Sequence, residues 1–174
     1  MPASQAKKNS SMQAYEFVTI WRVGARIETV WNEIYHSKEW PAWWRGVENV
    51  VEIRKGHEGD VGTVYRYTWK SKLPYRLSFD MQTVRVEPPL LLEGIATGEL
   101  KGRGVWQLST QGSDTIVRYD WRVETTKPWM NLLAPIARPV FEWNHNVVMG
   151  WGAVGLAKRL GATVVEENHR ANDS

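Results

Sequence analysis

The stretch Pro139–Gly161, PVFEWNHNVVMGWGAVGLAKRLG, constrains this chain more than any other. It reads as one long C-terminal helix, with successive side chains about 100° apart. Phe141, His145, Val148, Met149, Gly152, Leu156 and Leu160 then share a face about 120° wide. Trp143, Val147, Trp151 and Val154 form a second apolar stripe roughly opposite. A helix apolar on two sides is covered on two sides, so the rest of the chain has to wrap it. Gly150, Gly152 and Gly155 each cost about 1 kcal/mol against alanine in a helix interior. Such a cost points to close approach of another backbone, or to room left for a ligand. These glycines spell G-x-G-x-x-G, but the dinucleotide fingerprint needs a strand before it and a helix after it. Here the preceding residues read as helix, so the motif is assigned to helix packing.

The remaining sequence supplies the wrapping. Tyr15–Val23 alternates, with Phe17, Thr19, Trp21 and Val23 on one face. Ile27, Val30, Trp31, Ile34 and Tyr35 repeat at helical spacing. A short helical turn follows in SKEWPAWWRGV, limited by Pro41. Thereafter the pattern is strand. Tyr65, Tyr67 and Trp69 share a face; so do Tyr75, Leu77, Phe79 and Met81; so do Val117, Tyr119, Trp121 and Val123. Between them lie Arg66, Asp80, Arg118, Asp120 and Arg122. One aromatic face and one charged face describe an antiparallel sheet solvated on one side. KPWMNLLAPIARP, between the last strand and the long helix, reads as a short helical turn or two broken by prolines.

Eleven tryptophans in 174 residues suit a pocket or an interface, because indole offers a large apolar body with one N–H to satisfy. Without cysteine there is neither a disulfide framework nor a thiolate metal site. His36, His57, His145 and His169 are scattered without ligand spacing, so no metal and no cofactor is expected. A net charge of +3, with both signs interspersed, gives no basic block for nucleic acid. No stretch approaches a transmembrane span, and the polar MPASQAKKNSSMQA lacks a secretory pattern; a cytoplasmic protein is expected.

The segments IWRVGARIETVWNEI, EWPAWWRGVENV, VEPPLLLEGIATGELKGRGVW and FEWNHNVVMGWG, in this order, resemble the polyketide cyclase/dehydrase branch of the START-like superfamily (helix-grip, SRPBCC). The resemblance covers roughly residues 15–162. It implies an α+β helix-grip fold: a curved antiparallel sheet of about six or seven strands wrapped on the long C-terminal helix, with two short helices after strand 1. The expected organisation is a disordered lead at 1–14, a ligand-binding domain at 15–162 and a flexible tail at 163–174.

The resemblance implies a ligand between sheet and helix. The sheet would contribute Tyr65, Tyr67, Trp69, Phe79, Trp106, Tyr119 and Trp121; the helix would contribute Phe141, His145, Val148, Met149 and Gly152. This is a mostly apolar space with a few hydroxyls and one imidazole, suited to a lipid, polyketide or quinone-like molecule. His145 has three readings: a ligand contact, a general acid or base working with a tyrosine in a cyclase/dehydratase, or a satisfied core histidine. Trp129, Trp143 and Trp151 are expected to form one surface for a second copy of the chain or for a membrane, the latter as in a docking lipid or quinone carrier.

Overall fold

The computed structural model describes residues 14–126 and 134–167, with side chains in the long helix from residue 138 onward. Eight strands form one sheet: β1 Ala14–Val23, β2 Val47–Arg54, β3 Val64–Lys70, β4 Arg76–Glu87, β5 Leu91–Gly98, β6 Leu100–Gln111, β7 Asp114–Thr125 and β8 Val164–Glu166. Their order is β2-β3-β4-β5-β6-β7-β1-β8, and every pairing is antiparallel. Strands β2 to β7 form a meander, and β1 closes against β7. Since β1 and β2 lie near opposite edges, the chain between them must cross the sheet. It does so as α1 (Ile27–Tyr35), a 3₁₀ turn (Ser37–Glu39) and α2 (Trp40–Trp43). The long helix, α3, runs Ala134–Leu160.

Register shifts in the β2/β3 and β4/β5 pairs mark irregularities in the ladder. An extra residue in one strand bends it and increases its twist, which helps a sheet curl around a helix. The alternation seen in the sequence falls where expected. Tyr67, Phe79, Trp106, Val117, Trp121 and Val123 are buried, whereas Arg66, Arg76, Arg103 and Arg122 stay exposed. The outer face is laced with ion pairs, among them Arg66–Asp80 at 2.7 Å and Arg76–Glu48 at 2.6 Å. Glu93, whose facing the sequence left open, pairs on this side with Arg103 at 2.7 Å.

Two boundaries need correction. Helix α3 begins at Ala134, before Pro139. Proline removes one i→i−4 hydrogen bond, yet here the helix continues through it, and Arg138 pairs with Glu142 across that position at 3.0 Å. Val164–Glu166, expected within a flexible tail, instead forms β8 on the free edge of β1. The bond from Glu167 N–H to Ile20 C=O, 2.8 Å, extends that edge. Much of the expected turn before α3, Trp129 included, lies outside the described residues.

The glycine motif is entirely helical. A Cβ on Gly152 would stand 2.5 Å from the Trp44 ring, and one on Gly155 would stand 1.9 Å from the Trp43 carbonyl oxygen. Those two glycines let α2 lie directly on α3. Gly150 has no such constraint, its nearest neighbour being Glu166 at 3.8 Å.

Candidate functional site

Trp40 and Trp44 are four residues apart and so project from one side of the α2 turn. Trp44 is almost fully buried. Its ring meets those of Trp40 at 5.0 Å, Trp69 at 5.4 Å, Trp21 at 5.5 Å and Trp106 at 6.2 Å. Its indole N–H donates to the Val148 carbonyl of α3 at 2.9 Å. This aromatic shelf holds sheet and helix apart on one side, and a cavity of about 160 Å³ remains beside it.

Nine of the twelve expected ligand residues line that cavity: Trp69, Phe79, Trp106, Tyr119, Trp121, Phe141, His145, Val148 and Met149. Three do not. Gly152 is covered by Trp44, while Tyr65 and Tyr67 line a second cavity of about 80 Å³. The main cavity also takes Tyr15, Phe17, Trp40, Trp44, Ser71, Tyr75, Leu77, Leu100, Val123, Thr125 and Asn144. Alternation had put Phe17, Tyr75, Leu77 and Val123 on the inner face. It carries no information about which end of each strand the cavity occupies. For Trp40 and Trp44 the four-residue spacing was the available signal.

The walls are apolar, but several polar atoms are sealed in them. His145 stacks on Phe17 with ring centroids 4.2 Å apart and planes at 9°. Neither of its ring nitrogens has a partner of hydrogen-bond geometry among the described residues. Burial pushes the imidazole down to about 4, with the Asn146 side chain opposing the shift. It is therefore neutral at pH 7. Asn144 Oδ1, Tyr15 Oη and Trp69 Nε1 are likewise buried without partners. Burial also raises the phenols of Tyr15 and Tyr119. Tyr67, by contrast, donates to Ser37 Oγ at 2.8 Å.

The second apolar stripe of α3 is partly covered. Trp151 is half-buried, lies against Gly46 and carries the Arg45 guanidinium 4.5 Å from its ring centre. Trp143 is 48% exposed, with Lys72 Nζ 5.9 Å from its ring centre. Among the described residues no helix is long and apolar enough to cross a membrane, and no group of His, Asp and Glu is arranged to hold a metal ion.

No protein-family model and no curated protein matches the chain. Solved structures do. A START superfamily protein from Mycobacterium smegmatis superposes with a TM-score of 0.69 at 13% identity, covering 84% of this chain and 97% of that one. TTHA0849 from Thermus thermophilus gives 0.67 at 16%, covering 83% and 99%. The two-domain aromatase/cyclase StfQ of the steffimycin biosynthetic pathway gives 0.62 at 14%; there 85% of this chain covers 52% of that one, about half its length. At these identities the likeness is one of fold, and the fold is the helix grip that the sequence resemblance implied.

Proposed function

We propose that this chain binds a hydrophobic, flat small molecule of polyketide, quinone or lipid-like character between the sheet and α3. The observation that carries this reading is an apolar cavity with unpartnered polar atoms in its wall: His145, Asn144 Oδ1, Tyr15 Oη and Trp69 Nε1. Leaving a buried polar group unpaired costs about 1–3 kcal/mol. A ligand bearing a carbonyl and a hydroxyl would relieve several such costs together. Tyrosine and indole donate, the amide oxygen accepts, and a neutral imidazole does one of each. Stacked aromatic walls such as Trp106–Tyr119, 4.0 Å apart, favour a planar ring system.

The test is a fluorescence titration with a hydroxylated anthraquinone, with native mass spectrometry of the purified protein alongside. Quenching that saturates, and that weakens about tenfold in His145→Leu, is expected. Absence of quenching by the anthraquinone, together with a mass spectrum free of any co-purified compound, would sink the proposal.

A second reading is an aromatase/cyclase-type enzyme, supported by the fold shared with StfQ. It would use His145 with Tyr15 or Tyr119. A general base works best with a pKa near the operating pH, and His145 lies well below that. For this reason we rank its role as ligand contact first. His145→Ala separates the two: loss of turnover of a poly-β-ketone substrate with binding retained supports the enzyme, and equal loss of both supports the binding role. A third reading, a carrier docking on membranes through Trp143, draws on that residue's exposure beneath Lys72. Vesicle pelleting lost in Trp143→Ser supports it, and no pelleting of the unmodified chain removes it.

A further inference from the structure

The second cavity, about 80 Å³, lies across a shared aromatic partition. Trp40, Trp69, Phe79, Trp106 and Tyr119 line both spaces. Two glycines help make room for it. Gly94 and Gly104 are partners across β5 and β6. A Cβ on Gly94 would sit 2.6 Å from Met81 Sδ, and one on Gly104 would sit 2.8 Å from Tyr119 Oη. The space is about the share of two or three liquid waters, enough for the charged end of an alkyl chain.

Its chemistry differs from that of the main cavity. Asp60 lines it from the loop between β2 and β3. Asp60 has a backbone φ of +60°, a conformation non-glycine residues seldom adopt. The Tyr35 hydroxyl, from the end of α1, donates to its carboxylate. Glu93, also in the lining, pairs its carboxylate with Arg103 on the outer face; Asp60 has no ion-pair partner among the described residues. The rings of Tyr35, Tyr65, Tyr67 and Trp40 line the same cavity. The phenols of Tyr35 and Tyr65 are both raised, first by burial and further by the negative charge of Asp60. A carboxylate beside aromatic faces attracts a cation by charge and by ring quadrupole together.

We propose that this second chamber is a subsite for an organic ammonium group, so that the ligand is a hydrophobic amine whose apolar body lies in the main cavity. The proposal rests on the binding function given above and narrows its ligand class. Calorimetry at neutral pH with phenylbutylammonium and with phenylbutanol tests it. The unmodified chain is expected to bind the ammonium about tenfold more tightly than the alcohol. Asp60→Asn, which tolerates the left-handed backbone, is expected to erase that preference while leaving the alcohol's affinity unchanged. Equal affinity of the unmodified chain for both compounds overturns the subsite and leaves the apolar cavity standing, and it needs no variant to fold. A preference that persists in Asp60→Asn also overturns it. Binding of neither compound overturns the subsite, while the anthraquinone titration decides the apolar cavity separately.

Discussion

On one side of the aromatic partition the neutral side chains of His145, Asn144, Tyr15 and Trp69 hold buried polar atoms without hydrogen-bond partners among the described residues; on the other stands a carboxylate held by a phenol. The main cavity is built between β1, the middle of the sheet and α3, and its histidine is sealed under Phe17. Desolvation there favours the uncharged imidazole. The second chamber opens beside a loop, and Asp60 is only half-buried. Solvent at the rim lets a charge persist. The same aromatic side chains thus serve two different sites, and depth of burial decides which polar groups each can hold.

The largest test of this contrast is Trp44→Ala. Trp44 lines the main cavity and not the second, and it ties α2 to α3. Its truncation is expected to cost about 3–5 kcal/mol, read from urea denaturation, and to abolish ligand quenching. A loss below about 1 kcal/mol would mean that the shelf does not support the cavity. Next is the pH dependence of His145. Its folded pKa lies below the ordinary value of 6.5, at about 4. The unfolded chain therefore binds more protons than the folded one between those values, and stability falls as pH drops from about 6.5 to 4, by about 3 kcal/mol for this group. His145→Gln should remove that part of the acid loss; parallel pH–stability curves for the two proteins would show the imidazole is not sealed.

The helix side can be probed with a pair of alanines. Gly155→Ala places its Cβ on the Trp43 carbonyl and is expected to cost about 1–3 kcal/mol. Gly150→Ala meets only Glu166 and should gain up to about 1 kcal/mol from helix propensity. Thermal melts that rank them the other way would refute the packing account. The smallest effect belongs to the second chamber. Tyr35→Phe loses one hydrogen bond to Asp60, about 1 kcal/mol, and should leave quenching by the main-cavity ligand unchanged. A weakened affinity would show that this ligand itself reaches into the second chamber.

Much of the fold was legible because it depends on periodicity. Tyr119, Trp121 and Val123 against Arg118, Asp120 and Arg122 define an inner and an outer face without any coordinates. Phe141, His145, Val148 and Met149 define the helix face that meets them. Ser71 and Thr125 joined the main cavity unannounced, because alternation says nothing about position along the sheet. Tyr65 and Tyr67 share a face with Trp69 yet line the other chamber, for the same reason. The strand at Val164–Glu166 was hidden by its brevity; its partner, the edge of β1, is known only once the sheet is assembled.

By itself the sequence determined the aromatic inner face, the long helix with one imidazole in it, and the absence of thiol chemistry. These follow from local repeat and composition, which no neighbour can alter. Tertiary structure alone decided why Gly152 and Gly155 are glycines, that the ring nitrogens of His145 are buried without hydrogen-bond geometry to any described residue, and that one aromatic face lines two chambers. Each of these depends on which distant segment lies against which, and so on the distance between atoms that the chain order does not state.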